Sequence, residues 1–501
     1  MKKKIISLFL TTMMLSVLGG CGATTESDSS SNDTQQTSQE EGVVIEDISY
    51  LMIYNPYIYN EMDENGYPDA KSLYTGDFSS QIMTGMNRAD DFGMELEMPV
   101  MVTQKELEEG IDFTGINRDG IRAGAMDPSY NLYDTHEFYH YNETLEYSVL
   151  EEFTCVYVGE HCYIWSLNGS ISEEDARMMG EDFDNDIYAK NLESFGIPRF
   201  TDNGGKVNLL YYPMQLGIGG CFTTKDIFSS AEVPEEYVTT YGFNTDHAII
   251  HLNCDYIEME LSFAKSTMSH ELQHLICATE SLYYSETPFI KTWLNEAMSA
   301  YAEEIIYPGI KEQNGYSSLF YLSDLFRKGQ SLYNFDTTDD EYIGAYGVVY
   351  LFTEYLVESE KEDVYFDVHS FWKNAYRNDV TEAQALRDIA SEEFYDEINN
   401  KYNYSEFVKS KFSSEEDEWL SKLTLDFYIE TLSMDLANLH EYEDDVHATM
   451  LYGEVEPLEI EGGGRVIIAL KNGSYEIPED ADDEFVYVGL NEAFEPVLIY
   501  Y

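Results

Sequence analysis

The sequence predicts an α+β protein: a mixed sheet with a helix laid against it, a mainly helical second lobe, a β-rich amino-terminal region and a small β module at the carboxyl end. Three observations predict it. Val207–Tyr212 and residues 248–252 are short runs of branched and aromatic residues, as strands require, on either side of a loop holding Gly217, Gly219 and Gly220. Farther on, Thr292–Ile306, residues 344–358 and a long acidic series from 363 to about 439 read as helices. After Glu441 the pattern changes to short alternating runs at 465–470 and 484–490, split by Gly462-Gly463-Gly464 and Asn472-Gly473. A chain of 501 residues has room for about two to four domains. The expected divisions are 1–20, 21–45, 46–150, 151–440 and 441–501.

Taken in order, Lys2, Lys3 and Lys4 precede an apolar run over residues 5–18 that is too short to span a bilayer comfortably and has the form of a secretory signal. Leu18-Gly19-Gly20-Cys21 follows, and it resembles the lipobox of bacterial lipoproteins. That resemblance implies cleavage before Cys21 and lipidation of this cysteine, palmitate included. No later segment offers about 20 uninterrupted apolar residues, so the expected location is the extracytoplasmic face of a bacterial cell membrane, held by lipid alone. Residues 22–45, with Ser27-Asp28-Ser29-Ser30-Ser31-Asn32-Asp33 and Gln35-Gln36, are polar and read as a flexible tether. Residues 46–150 read as mixed strand and loop, with Tyr54-Asn55-Pro56-Tyr57-Ile58-Tyr59 among several turns, and name no chemistry. The 42 tyrosines of the chain fit half-buried strand positions better than a glycan-binding surface.

Within 151–440, Phe153-Thr154-Cys155-Val156-Tyr157-Val158 and Cys162-Tyr163-Ile164-Trp165 read as strands, and Ser172 caps a helix running to about Phe195, closed by Gly196 and Pro198. Inside that helix, Asp182-Phe183-Asp184-Asn185-Asp186 with Glu193 mimics an EF-hand loop, but Ile187 stands where the turn needs glycine. Phe183, Ile187, Tyr188 and Leu192 instead mark a helical apolar face. His247 and His251 are four residues apart, yet Ile249 and Ile250 favour a strand, so both are expected to be structural. A short link and a helix ending at His274 come next, then a loop through Pro288 and the helix Thr292–Ile306.

Composition excludes some functions. There are 95 acidic against 28 basic residues, a formal charge of −67, which makes nucleic acid a poor partner. A solvated acidic surface on an exported protein accounts for the charge; steering of basic substrates or loose calcium binding is the sharper alternative. Beyond Cys21 the chain has Cys155, Cys162, Cys221, Cys254 and Cys277, an odd number without Cys-x-x-Cys spacing, which argues against a disulfide scaffold.

The chemistry lies in His270-Glu271-Leu272-Gln273-His274, an HExxH pattern, with Glu296 22 residues beyond His274. Residues four apart on a helix lie close in angle, so His270 and His274 can reach one ion while Glu271 points to the side. Zinc in a hydrolase takes about three protein ligands and leaves one position for water. Glu296 is placed to supply the third ligand from the next helix, and Glu271 to act as base on metal-bound water. Glu303, seven residues after Glu296, faces the same way. Cys277 lies about 10 Å along the helix from His270 and reads as a buried thiol.

The pattern occurs twice, because His136-Glu137-Phe138-Tyr139-His140 also spells it. A zinc helix must pack into the core, and its flanks differ accordingly. Met268, Ser269, Leu275 and Ile276 surround the downstream copy; Asp134, Thr135, Tyr141 and Asn142 surround the upstream one. The upstream copy is expected on sheet or loop, where residues four apart stand about 13 Å from one another.

His270 to His274 with Trp293-Leu294-Asn295-Glu296 resembles the gluzincin metallopeptidases, and the span from about 162 to 356, with Tyr346-Gly347 before Tyr350-Leu351-Phe352, is most similar to the hyicolysin-like family of bacterial neutral proteases. The resemblance implies a zincin-type core, one catalytic Zn2+ on His270, His274 and Glu296, Glu271 as general base, and protein or peptide substrates cleaved outside the cell. The same residues with Tyr301 and Glu303 also match the gluzincin aminopeptidases, in which a glutamate at the place of Glu303 orients a ligand histidine. Two departures matter. Thermolysin-like enzymes carry aspartate where this chain has Ala300, and the Gly-x-Met-Glu-Asn motif of the aminopeptidases is absent between Tyr211 and His270. The expected activity is therefore that of a zinc-dependent endopeptidase, with Tyr346 as candidate donor to the oxyanion. An aminopeptidase and a catalytically idle surface-binding lipoprotein are the alternatives; the intact Glu271 counts against the idle scaffold.

Overall fold

The computed structural model describes residues 44–58, 70–73, 129–142, 147–198, 205–214, 218–227, 238–239, 242, 244, 247–284, 292–308, 329, 331–333, 348–349, 351–353, 355–356, 381–438, 458–470, 472–477, 485–492 and 496–500. The signal, Cys21, the tether up to residue 43 and Tyr346 lie outside them.

A six-stranded mixed sheet organises the middle of the chain. Its strands are β4 (Thr135–Asn142), β5 (Tyr147–Val158), β6 (Cys162–Leu167), β7 (Val207–Tyr212), β8 (Gly220–Cys221) and β9 (Ile249–Asn253), in the order β4-β5-β6-β7-β9-β8. The first three are antiparallel neighbours, β6, β7 and β9 run parallel, and β8 returns antiparallel on β9 at the edge. Parallel β6 and β7 need a crossover, and helices supply it. These are α1 (Glu173–Asp182) and α2 (Tyr188–Phe195), joined by a π-helical turn, Phe183–Ile187. Ser172 caps α1 by accepting from Asp175 N, and Gly196 ends α2 at φ +113°, a conformation that favours glycine. The EF-hand spelling thus lies within helix. Phe183 and Ile187 are buried, and Asp184 accepts from the amides of Glu160 and His161 at 2.6 and 2.8 Å.

Side-chain alternation gives this sheet two apolar faces. Phe138, Phe153, Trp165, Leu210 and Ile249 cluster on one. Ile164, Leu209, Tyr211, Ile250 and Leu252 meet Met268, Leu272, Leu275 and Ile276 on the other. The latter residues belong to α4 (Leu261–Tyr284), which follows the short α3 (Asp255–Met259). The helix expected to end at His274 therefore runs ten residues further. Leu275, Ile276, Cys277 and Ala278 are buried, so the apolar stripe continues and no glycine or proline interrupts it. Helix α5 (Thr292–Ile306) has the bounds read from the sequence. Of 344–358, residues 348–349, 351–353 and 355–356 are described and helical.

The acidic series contributes α6 (Glu382–Ile389), α7 (Glu392–Lys401), α8 (Glu406–Lys409) and α9 (Glu415–Asn438). Asp426 of α9 accepts from Tyr402, after α7, at 2.6 Å and from Tyr355 of the 344–358 stretch at 2.7 Å, and so joins the two.

The tail does not form a sheet from its own strands alone. Strand β2 (Tyr50–Tyr54) lies between β11 (Arg465–Ala469) and β13 (Val486–Leu490), with β14 (Pro496–Tyr500) outside β13. Strand β1 (Val44–Glu46) pairs with β12 (Ser474–Glu476), and β3 (Ala70–Leu73) with β10 (Leu458–Glu461). The boundary expected between a 46–150 region and a 441–501 module is thus crossed by four strand pairings. Leu51 and Ile53 fill one face of the joint sheet; Met52 and Tyr54 face the main core, where the Tyr54 hydroxyl donates to Ser421 O of α9 at 3.0 Å. Among the described residues no helix is long and apolar enough to cross a membrane.

Candidate metal centre

The two HExxH copies take different secondary structures. His136 to His140 lie on strand β4, where Glu137 is exposed and His136 packs edge-on to Phe138 and His247. His140 reaches Glu151 at 2.6 Å. On helix α4 the rings of His270 and His274 are 4.7 Å apart, and Glu271 is 6% exposed. Helix α5 packs alongside, fixed by Ser269, which donates to Ala302 O at 2.8 Å and receives Asn191 Nδ2 at the same distance.

One ligand atom each from His270, His274 and Glu296 fall within 4.8 Å of one another, and all three residues are buried. Glu296 Oε2 stands 3.3 Å from His270 Nε2 and 3.5 Å from His274 Nε2. It has no hydrogen bond of proper alignment although it is shut off from water. A buried carboxylate oxygen in that state is costly, and an ion at the point where the three groups converge satisfies it. The outer nitrogens support the same arrangement. His270 Nδ1 donates to Glu303 Oε1 at 2.8 Å. The Ser299 hydroxyl donates to Gln273 Oε1 at 2.6 Å, which leaves its lone pairs to accept from His274 Nδ1 at 3.0 Å. With both Nδ1 atoms anchored as donors, Nε2 is the nitrogen that each ring turns toward Glu296, and the one that would ligate an ion. Two histidine nitrogens and a carboxylate oxygen form a donor set suited to zinc.

Electrostatics without an ion reflect the crowding. Burial alone would push the His270 pKa down, but its contacts with Glu296 and Glu303 outweigh that and carry it up to about 10. For Glu296, burial is opposed by the charge of His274 and by both imidazoles, which hold its carboxyl well below the usual range. Burial raises the Glu271 pKa, countered in part by His270 and His274. The Cys277 thiol is buried and pushed up by burial.

Strand β8 borders this site. A Cβ on Gly220 would stand 2.8 Å from His251 O, 2.9 Å from Thr267 Cγ2 and 3.2 Å from Glu271 Cγ, so only glycine lets the strand cross the helix here. His251 is buried on β9 with Nε2 2.9 Å from Asp226 Oδ2, as a structural histidine.

Sequence reasoning brought His270, Glu271, His274, Glu296 and Glu303 forward, and the structure places them together on α4 and α5. It missed Ser299 and Gln273. Ser299 was within reach, because 296, 299 and 303 share one helical face. Ala300 is buried and gives no polar support.

Fold and site together define an α+β protein with a buried His-His-Glu group arranged to hold a metal ion. No family model matches the chain. The chain is 25% identical over 265 residues to the neutral metalloprotease ShpI of Staphylococcus hyicus, a match covering 50% of this chain and 56% of that protein. The chain thus spans about half the length of this relative.

Proposed function

We propose that this chain is a zinc-dependent endopeptidase that cleaves proteins or peptides outside the cell, held at the membrane by a lipid on Cys21. The observation that carries the reading is the convergence of His270 Nε2, His274 Nε2 and Glu296 Oε2 beside a buried glutamate. Likeness to a neutral metalloprotease supports it independently.

Zinc held by His270, His274 and Glu296 would supply a Lewis acid for the scissile carbonyl and lower the pKa of the attacking water to about 7. Glu271 would serve as the base, taking a proton from the attacking water and returning it to the leaving amine. Its pKa, raised by burial, suits a group that must both accept and return a proton. Glu303 and Ser299 keep the imidazoles oriented. Strand β8 lies at the sheet edge next to Glu271, where an extended peptide can add as a further strand.

The test is to express residues 22–501, measure bound zinc, and compare cleavage of a protein substrate by the parent and by Glu271→Gln. Zinc at one per chain, with hydrolysis lost in the variant, is expected. A parent without zinc, or equal hydrolysis by both, sinks the reading.

A further inference from the structure

Strand β8 is only two residues long, yet it is the part of the sheet that borders Glu271. Two backbone pairs to β9, Gly220 with Leu252 and Cys221 with His251, hold it in register. Such a short edge strand has little stability of its own, so its position depends on what grips its ends.

At the entering end the grip is Asn253. Its Nδ2 donates to Ile218 O at 2.8 Å, and its backbone N–H donates to Gly219 O at 2.8 Å. The leaving end is gripped by Asp226, which sits in the 3₁₀ turn Thr224–Asp226 just after β8 and is 0% exposed. Its Oδ2 accepts from His251 Nε2 at 2.9 Å, while its Oδ1 accepts from Asn244 Nδ2 at 2.9 Å and from Asn244 N at 3.2 Å. These partners are themselves fixed. His251 Nδ1 meets the Tyr212 hydroxyl at 3.3 Å, and Asn244 pairs with both backbone groups of Tyr139 on β4, at 2.6 and 2.9 Å. One buried carboxylate therefore ties the segment after β8 to β9, and through Asn244 to β4 at the opposite edge of the sheet. Hydrogen bonds to a buried charge are the strong kind, and a carboxylate with no water to fall back on keeps them.

We propose that Asp226, through His251 and Asn244, is a positioning residue that locks strand β8 beside Glu271, so that an extended peptide meets a preformed edge. This rests on the endopeptidase reading for its kinetic consequence, but not for its structural one. The Asp226 carboxylate is held by Asn244 and His251, not by His270, His274, Glu296 or Glu271, so its loss acts on the wall of the cleft and spares the proton transfer.

The experiment compares full-length parent with Asp226→Ala and the milder Asn244→Ala, using an internally quenched octapeptide and a blocked dipeptide amide, alongside amide hydrogen exchange. Asp226→Ala is expected to raise KM for the octapeptide about tenfold. Its kcat, its zinc content and its KM for the dipeptide stay near parental values. Exchange quickens over residues 219–226 and stays slow in α4. Asn244→Ala shifts the same quantities less, and serves if Asp226→Ala does not fold. A fall in kcat with KM unchanged, an equal KM shift for both peptides, or unaltered exchange over 219–226 overturns the proposal. A parent that hydrolyses neither peptide refutes the endopeptidase reading instead, and exchange alone then decides the role of Asp226.

Discussion

The same five-letter pattern stands twice in this chain, once on strand β4 and once on helix α4, and only the helix makes a site of it. On the strand, four residues span about 13 Å, so His136 and His140 take separate partners. One packs against His247 and the other against Glu151. On the helix the two rings are 4.7 Å apart and share Glu296. The glutamate differs as well, exposed at Glu137 and buried at Glu271. A motif is thus a statement about distance, and secondary structure sets the distance.

Replacing the glutamate of each copy breaks that comparison most sharply. On the proposed mechanism Glu271→Gln would keep the ligands but remove the proton acceptor, and peptide hydrolysis should fall by about a hundred- to ten-thousand-fold with zinc retained. Glu137→Gln should leave the rate unchanged, since an exposed strand residue touches none of the ligand atoms. Parallel progress curves and metal analysis of the two proteins check both halves.

Metal content divides the histidines in the same way: His274→Ala should lose zinc on dialysis, and His136→Ala should retain it. The pH dependence adds a sign. In the metal-free site His270 faces two carboxylates and its pKa rises from 6.5 to about 10, so at neutral pH it holds a proton that must leave before Nε2 can ligate. Zinc uptake should release that proton, and affinity should increase about tenfold per pH unit toward pH 10. Because the folded-state pKa is the raised one, the stability it lends the metal-free protein is full below about pH 6.5 and is lost as pH rises through about 10. Melting of the metal-free protein should therefore fall between pH 7 and 10. A flat profile would remove His270 from the set of doubly contacted histidines.

A smaller effect is expected behind the ligands. Glu303→Gln weakens the anchor on His270 Nδ1 and should lower zinc affinity by about ten- to a hundredfold, measured by competition with a chelator.

What could be read from the sequence follows from periodicity. Glu296 and Glu303 are two turns apart, so their shared face was legible before any fold was known. The flanks Met268 and Leu275 told which copy lies on a core-packed helix for the same reason. Pairing across long stretches of chain was not legible. Nothing in Leu51 or Ile53 indicates that their strand fits between 465–469 and 486–490, since alternation reports a face and never a partner. The end of α4 is not legible either, because Leu275 and Ile276 extend the buried stripe into residues whose polarity suggests a loop, and tertiary burial overrides that local preference. The clamp at Asp226 is invisible in the sequence because its partners, at 244 and 251, meet only when the sheet forms.

The smallest expected effect sharpens the comparison at its closest point, because each copy contains a histidine–glutamate pair. His140 meets Glu151 at 2.6 Å, much as His270 meets Glu303 at 2.8 Å. Their surroundings differ: the Glu151 side chain is 41% exposed and that of Glu303 is 7%. In Glu151→Gln, water takes over much of the lost contact, and the new amide can donate to His140 Nε2 while His140 Nδ1 keeps Tyr141 O at 3.1 Å. Thermal unfolding should register less than about 1 kcal/mol, with zinc and hydrolysis untouched. Loss of metal in this variant would mean that the strand copy communicates with the site, and the separation of the two copies would fail.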